Sequence, residues 1–308
     1  MLPRVVVLMA TYNGLPWIDE QVDSILAQQG VDVHLRISDD GSTDGTLERL
    51  RERASADPRI EVLAPRRGPA GVTANFLHLF TTWAPTSDVC VAFSDQDDVW
   101  HPDKLRRQVS LLDRKHVDAV SSNVVSFDER GRRRLVVKSQ PQVRWDHVFE
   151  AAGPGSTYLF SPDLHRRLLV ALTSVDHSRI GVHDWFLYAL SRGMGARWFI
   201  DRSPTVDYRQ HGSNVQGENA GLTALGVRLR HLRSGFYREQ FELTANAALT
   251  VGRGIVSDDD VRDLGDLLCD LEETSLRARW RVARRWREIR RNHREGLELG
   301  IGCLVGIW

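Results

Sequence analysis

The stretch Val5-Val6-Val7-Leu8-Met9-Ala10-Thr11-Tyr12-Asn13-Gly14 decides the fold. Its unbroken apolar run from Val5 to Ala10 reads as a strand covered on both faces, and it ends in a polar loop, Thr11 to Gly14. Such a strand lies inside an α/β sheet, so helical and strand periods are expected to alternate after it. Trp17, Ile18, Val22, Ile25 and Leu26 fall at helical spacing, and Val31, Val33, Leu35 and Ile37 then alternate with His34 and Arg36 as a second strand. That strand stops at Ser38-Asp39-Asp40-Gly41, where Ser42, Thr43 or Asp44 can cap a helix bearing Leu47 and Leu50. A short strand at 60–63, a helix carrying Val72, Phe76, Leu79, Phe80 and Trp83, and a strand at 88–93 follow. The last ends in Ser94-Asp95-Gln96-Asp97-Asp98, with Pro102 placed as the first residue of the next helix. Three strands thus deliver acidic or hydroxyl-bearing loops at their C-terminal ends, where open α/β sheets bind ligands.

Farther along, strand patterns at 120–127 and 135–137 mix with helices up to Tyr208, and after about Gly221 no strand is expected and the segment to Glu295 reads as two or three helices. The chain is therefore divided into 1–220, with halves 1–115 and 116–220, and a helical C-terminal region at 221–308. Across 308 residues the 41 basic and 41 acidic side chains cancel, which removes the global field that would draw nucleic acid, and no nucleic-acid partner is expected. Cys90, Cys269 and Cys303 are too few and too widely spaced for a disulfide framework, so a reducing, cytoplasmic setting is expected. The N-terminal run reads as a first strand rather than a signal peptide, and no apolar stretch reaches the roughly 18 residues of a spanning helix.

The strongest chemical signal is Asp95-Gln96-Asp97-Asp98 directly after a strand. Carboxylates this close repel one another unless solvated or neutralised, and a hard cation such as Mg²⁺ or Mn²⁺ neutralises them; a solvated acidic turn capping the next helix is the structural alternative. Asp39-Asp40-Gly41-Ser42-Thr43-Asp44 reads as an Asp/Ser/Gly turn, or as a carboxylate held at a strand end to accept the N3–H of uracil or thymine with Tyr12 stacked on the base. His183-Asp184-Trp185 opens a helix, where Asp184 is either a dipole-stabilised first-turn carboxylate or a base. His211 is a surface histidine or the nitrogen ligand that completes a carboxylate-rich metal site, with Arg202 and Arg209 near enough in sequence to pair with phosphate. Neither a G-x-G-x-x-G after the first strand, nor a P-loop, nor a G-x-S-x-G elbow is present.

Together these segments resemble the family 2 glycosyltransferases with a GT-A fold, an open mixed α/β sheet flanked by helices, here with an α-helical C-terminal extension. Met9 to Gly14 is similar to that family's first nucleotide-binding loop, Ser38 to Asp44 to its second, Gly71-Val72-Thr73-Ala74-Asn75-Phe76 to the segment between them and the D-x-D motif, and Asp95-Gln96-Asp97 to that motif. His183-Asp184 stands where the family has an [E/H]D pair. The spellings of 94–100 and of Tyr208-Arg209-Gln210-His211-Gly212-Ser213-Asn214 are similar to those of bacterial rhamnosyltransferases of polysaccharide assembly. The resemblance covers about residues 4–215 and implies a nucleotide-diphosphate-sugar donor, dTDP- or UDP-linked, and a glycan or lipid-linked acceptor. It implies Asp184 as catalytic base, Asp97 and His211 on Mg²⁺ or Mn²⁺, and Ala10, Thr11, Tyr12, Asp40, Gly71, Asn75 and Asp95 around the nucleotide. His183, Trp185 and Arg209 would touch diphosphate or acceptor. It also implies transfer of a single sugar, since no Q-x-x-R-W motif follows the HD pair. On that reading 1–115 is the donor half of a catalytic domain and 116–220 its acceptor side.

Between Thr274 and Glu295 nine Arg stand against two Glu, interleaved with Trp280, Val282, Trp286 and Ile289. This is a solvated helix packed on the rest, a peripheral membrane contact through 274–308 at the inner face, or a grip on an anionic polymer. A sugar nucleotidyltransferase and a non-catalytic nucleotide-sugar or glycan-binding module are the competing functions. The first lacks its glycine-rich, Lys-containing triphosphate loop, as no Lys precedes position 104.

Overall fold

A computed structural model describes residues 2–84, 88–211 and 235–308. The expected division at 220 and the Gly212-Ser213-Asn214 end of one motif lie outside these residues. The chain gathers into two compact units: Met1–Ser139, Gly153–Val170 and Ala196–His211 form one, and Gln140–Ala152, Ala171–Gly195 and Gly212–Trp308 the other. They are interleaved along the sequence and do not part at a single point.

The first unit is built on β1 (Arg4–Thr11), whose apolar residues are all buried, as a strand covered on both faces requires. Beside it lie β2 (Asp32–Asp39), β3 (Ile60–Val62) and β4 (Val89–Ser94), joined through helices α1 (Ile18–Leu26), α2 (Thr46–Ala56) and α3 (Val72–Thr82). A two-residue β5 (Val99–Trp100) and α4 (Lys104–Lys115) follow, then β6 (Ala119–Ser122), β7 (Val124–Asp128) and β8 (Arg133–Val136). The unit is completed by β9 (Leu159–Phe160), the start of α6 (Pro162–Ser174), β10 (Trp198–Asp201) and β11 (Val206–Gln210).

The main sheet has seven strands in the order β10-β6-β9-β4-β1-β2-β3. All its pairs are parallel except those of β9, which runs antiparallel to both β4 and β6. Register sets Thr11 opposite Asp39 and Met9 opposite Ser94, so the three expected loops leave neighbouring strands at the same edge. A second sheet, β5-β11-β7-β8, carries the strand that leads into His211.

Three sequence expectations shift. The strand expected over 120–127 is two strands in different sheets, because Asn123 turns the chain between them: its side chain donates to the Arg202 carbonyl at 2.8 Å and accepts from the Lys138 and Ser139 N–H groups at 2.7 and 3.0 Å. Helix α2 starts after Gly45, which is in the left-handed region, and Asp44 Oδ1 accepts from the Thr46 N–H at 3.0 Å. Helix α4 begins two residues beyond Pro102, whose carbonyl is instead tied to the Gln29 N–H at 2.9 Å.

The second unit is helical: α5 (Asp146–Phe149), α7 (His183–Gly193), α8 (Phe236–Gly252), α9 (Asp258–Glu272), α10 (Leu276–Arg284), α11 (Trp286–Ile289) and α12 (His293–Leu304). Among the described residues four helices lie between 235 and 292, where two or three were expected up to Glu295, and a fifth follows. Side-chain caps divide them, since Ser257, Ser275 and Asn292 accept from the N–H groups of Asp260, Ala278 and Arg294. Trp145, Phe149 and Trp185 share one core with Phe241, Leu267, Val282, Ile289 and Trp308. Within it Asp146 is fully buried and accepts from Tyr188 Oη at 2.9 Å and from Arg192 and Arg291 at 3.2 and 2.9 Å. Burial by itself would raise the Asp146 carboxyl, but His147 and the Arg192 and Arg291 charges outweigh it and hold it down at about 2. Among the described residues no helix is long and apolar enough to cross a membrane.

Candidate active site

At the C-terminal edge of β1, β2 and β4 the three loops are sewn to one another. Thr11 donates to Asp39 Oδ1 at 2.9 Å, and Asp39 also accepts from the N–H groups of Gly41 and Ser42. Asn13, in the left-handed region, accepts from the Thr43 N–H at 2.8 Å. Gln96, the middle residue of D-x-D, accepts from the Tyr12 N–H at 2.8 Å and donates to the Tyr12 carbonyl at 2.9 Å. A Cβ at Gly14 would collide with that Gln96 amide, so a larger residue there would push the amide off the Tyr12 backbone. Tyr12 itself is left 56% exposed, free to offer a ring face.

Asp40 stands beside this weave with both oxygens engaged. Arg66 lies 2.6 Å from Oδ1 and the Gly71 N–H donates to Oδ2 at 2.6 Å, both within the first unit. A carboxylate offers about four lone-pair positions, so a further donor can still be accepted. Asn75 is buried and donates to the Ser38 carbonyl at 2.8 Å; its visible work is to hold the end of β2. Ala10 and Thr11 are likewise buried, which leaves Tyr12 and the loop backbone as that segment's exposed part.

The acidic loop meets the end of β11. His211 Nε2 lies 2.6 Å from Asp97 Oδ2, and Trp17 stacks on the imidazole with ring centroids 3.9 Å apart and planes within 14°. Arg209 donates through Nε to the Asp97 carbonyl at 2.8 Å, pairs with Glu20, and lies over Phe127, so its guanidinium braces the loop. Asp95 is half-buried at the rim. Asp98 is buried and accepts from the Arg209 N–H at 3.2 Å; burial, then the charges of Asp97 and Asp95, push its carboxyl well above the ordinary range. Beneath it Lys104 is fully buried, over Trp100 at 3.7 Å, and burial lowers its ammonium to about 7 against the opposing pull of Asp98.

In the second unit, His183 and Asp184 occupy the first turn of α7 as the sequence indicated. Asp184 is half-buried, with Oδ1 accepting from the Trp185 N–H at 2.6 Å. Burial takes His183 down to about 3, so its ring is neutral. Trp185 is buried, donates to the His147 carbonyl at 2.9 Å and packs on Phe241; it is a core side chain, in contrast to the expected contact with diphosphate or acceptor.

Residues 6–170 match the profile of the family described as Glycosyl transferase family 2. The chain belongs to that family. This glycosyltransferase is 38% identical over 242 residues to the dTDP-rhamnosyl transferase RfbG of Shigella flexneri, an alignment covering 78% of this chain and 84% of that protein. It is 30% identical over 225 residues to the succinoglycan biosynthesis protein ExoO of Rhizobium meliloti, covering 68% of this chain and 61% of that one. In fold it is similar to residues 1–349 of S. aureus TarS in complex with UDP-GlcNAc, with a TM-score of 0.57 at 15% identity, over 99% of this chain and 81% of that structure. The GT-A architecture expected from the motifs is therefore the fold of this glycosyltransferase.

Sequence reasoning missed Gln96, Arg66 and Trp17 at this sheet edge. Gln96 had a signal, since a neutral amide between carboxylates can bond where a third charge would repel. Arg66 sits in a loop without periodicity, and Trp17 had already been assigned to the helix face by its spacing.

Proposed function

We propose that the enzyme transfers rhamnose from a dTDP- or UDP-sugar to a hydroxyl of a glycan or lipid-linked acceptor, inverting the anomeric centre in one displacement. The observation that carries this reading is the junction of Asp97 with His211 at 2.6 Å, on the same sheet edge as Tyr12 and Asp40. The 38% identity to a dTDP-rhamnosyl transferase favours rhamnose and the thymidine nucleotide.

Tyr12 would stack on the base and Asp40 accept its N3–H, with Gly71 and Ala10 shaping the pocket walls and Asp95 contacting ribose. Among the described residues no three His, Cys, Asp or Glu side chains form a metal cage. One carboxylate and one imidazole side by side still fit Mg²⁺ or Mn²⁺, which would take its other oxygens from diphosphate and water. Such a cation, when bound, neutralises charge on the departing diphosphate. Asp184 would accept the proton of the acceptor hydroxyl as that oxygen attacks the anomeric carbon. The bond from that carbon to the diphosphate oxygen breaks, and its electron pair leaves with the nucleoside diphosphate. No protein nucleophile is required, in contrast to a retaining glycosidase.

Thermal melting with dTDP, UDP, GDP and CDP, each with and without Mn²⁺, tests the donor site. Metal-dependent stabilisation by dTDP or UDP is expected, about 2.7 kcal/mol at a hundredfold excess over Kd, and Asp97→Ala should remove its metal dependence. Equal shifts by all four nucleotides, or a metal effect intact in the variant, would count against it. His211→Ala should raise the Mn²⁺ concentration for half-maximal nucleotide stabilisation by about tenfold. An unchanged titration curve would remove His211 from the metal site.

A further inference from the structure

Much of the basic run at 274–295 is consumed inside the helical unit. Arg281 pairs with Asp270 and Glu273, Arg285 with Asp263, and Arg290 and Arg291 with Glu150. Arg277, Arg284, Arg287 and Arg294, by contrast, form no ion pair among the described residues; Arg284 and Arg287 lie over the rings of Trp280 and Trp286.

The apolar side chains beside these cations are not covered either. Helices α10 and α12 meet along a seam of small residues, where a Cβ on Gly300 would come within 3.0 Å of the Ala283 carbonyl. On α10 the core lies on one side of that seam at Ala278 and Val282, which leaves Leu276 and Trp280, one turn apart, on the other side, 75% and 56% exposed. On α12 Gly302 and Cys303 are buried, while Leu297, Ile301 and Val305, each one turn from the next, face outward. Both apolar stripes therefore flank the same seam on its solvent side, among cations that form no close ion pair with the described residues, although the Arg277 charge helps to lower the Glu273 carboxyl.

We propose that this outer face of the α10–α12 pair is a docking surface for an anionic lipid bilayer. Trp280 and the aliphatic stripe would enter the headgroup region while the guanidinium groups of Arg277, Arg284 and Arg294 meet lipid phosphates. Apolar residues ringed by unpaired Arg distinguish such a partner from an anionic polymer, which would need the cations but not the apolar ridge. A protein surface has no call for cations of one sign unless the partner is acidic.

The experiment is co-sedimentation of the full chain with phosphatidylcholine vesicles and with vesicles containing phosphatidylglycerol, without donor or acceptor, so its result is independent of the sugar transferred. Binding is expected only to the anionic vesicles and should weaken as salt is added. Trp280→Ser with Ile301→Ser should reduce partition by about tenfold. Arg277→Gln with Arg284→Gln, which leaves the apolar face intact, should cost about fivefold per charge removed. Circular dichroism melts identify any variant that fails to fold, and the Arg pair then stands as the test. Equal partition of wild type and the Arg variant would overturn the proposal. So would a wild-type dimer that Trp280→Ser converts to monomer, because the face would then belong to a second copy.

Discussion

Asp184→Asn is expected to slow sugar transfer by about 10²- to 10⁴-fold while leaving nucleotide affinity within about twofold. Asparagine keeps the size and the Oδ1 contact to the Trp185 N–H but cannot take a proton from the acceptor hydroxyl. The position suits a base: the first turn of α7 favours a charged carboxylate through the helix dipole, and the neighbouring His183 is held neutral and does not compete for the proton. Turnover with saturating donor, together with calorimetric titration of dTDP, separates the two effects. Normal turnover with lost nucleotide affinity would move Asp184 from the acceptor to the donor side and refute its role as base.

The largest stability effect is expected at Asp146→Ala. Its carboxylate faces Arg291, whose side chain is fully buried, and also Arg192. Removing it leaves a guanidinium in the core of the helical unit with only Glu150 and the Ala151 carbonyl to satisfy it. Loss of one partner of a buried pair costs about 3–5 kcal/mol, read from urea unfolding. Asp146→Leu combined with Arg291→Met should recover a large part of that loss, as apolar replacement of whole buried pairs does. A single-variant cost below about 1 kcal/mol would show the knot to be dispensable. The pH dependence has a definite sign: the folded carboxyl titrates at about 2, below its unfolded value of about 3.9, so the contribution is complete above about pH 5. It is lost as pH falls through about 2 in wild type, a loss absent from the variant.

The sheet edge was legible because its signals are local. Apolar runs at Val5–Ala10 and Val89–Phe93 mark strands buried on both faces, and polar residues directly after them mark the edge where ligands bind. The partners drawn to that edge from far along the chain were not legible. Trp17 and His211 are separated by most of the first unit, and periodicity reports that a residue faces something without reporting what. In the Arg-rich tail, likewise, a count of charges cannot see that Asp263 and Glu150 already pair with Arg285 and Arg291. Asn123 was read as one more strand residue because the turn it makes depends on carbonyl and amide groups from Arg202, Lys138 and Ser139.

The interleaving of the two units bears on how this chain can be cut and recombined. Trp145, Phe149 and Trp185 come from the middle of the sequence, yet their core is completed by Phe241, Val282, Ile289 and Trp308 near its end. A graft that exchanged the tail alone for that of another family member would strip those three side chains of their cover, and a break after β11 would do the same. Exchange of the tail is expected to leave a folded helical unit only where Trp145, Phe149 and Trp185 are exchanged with it.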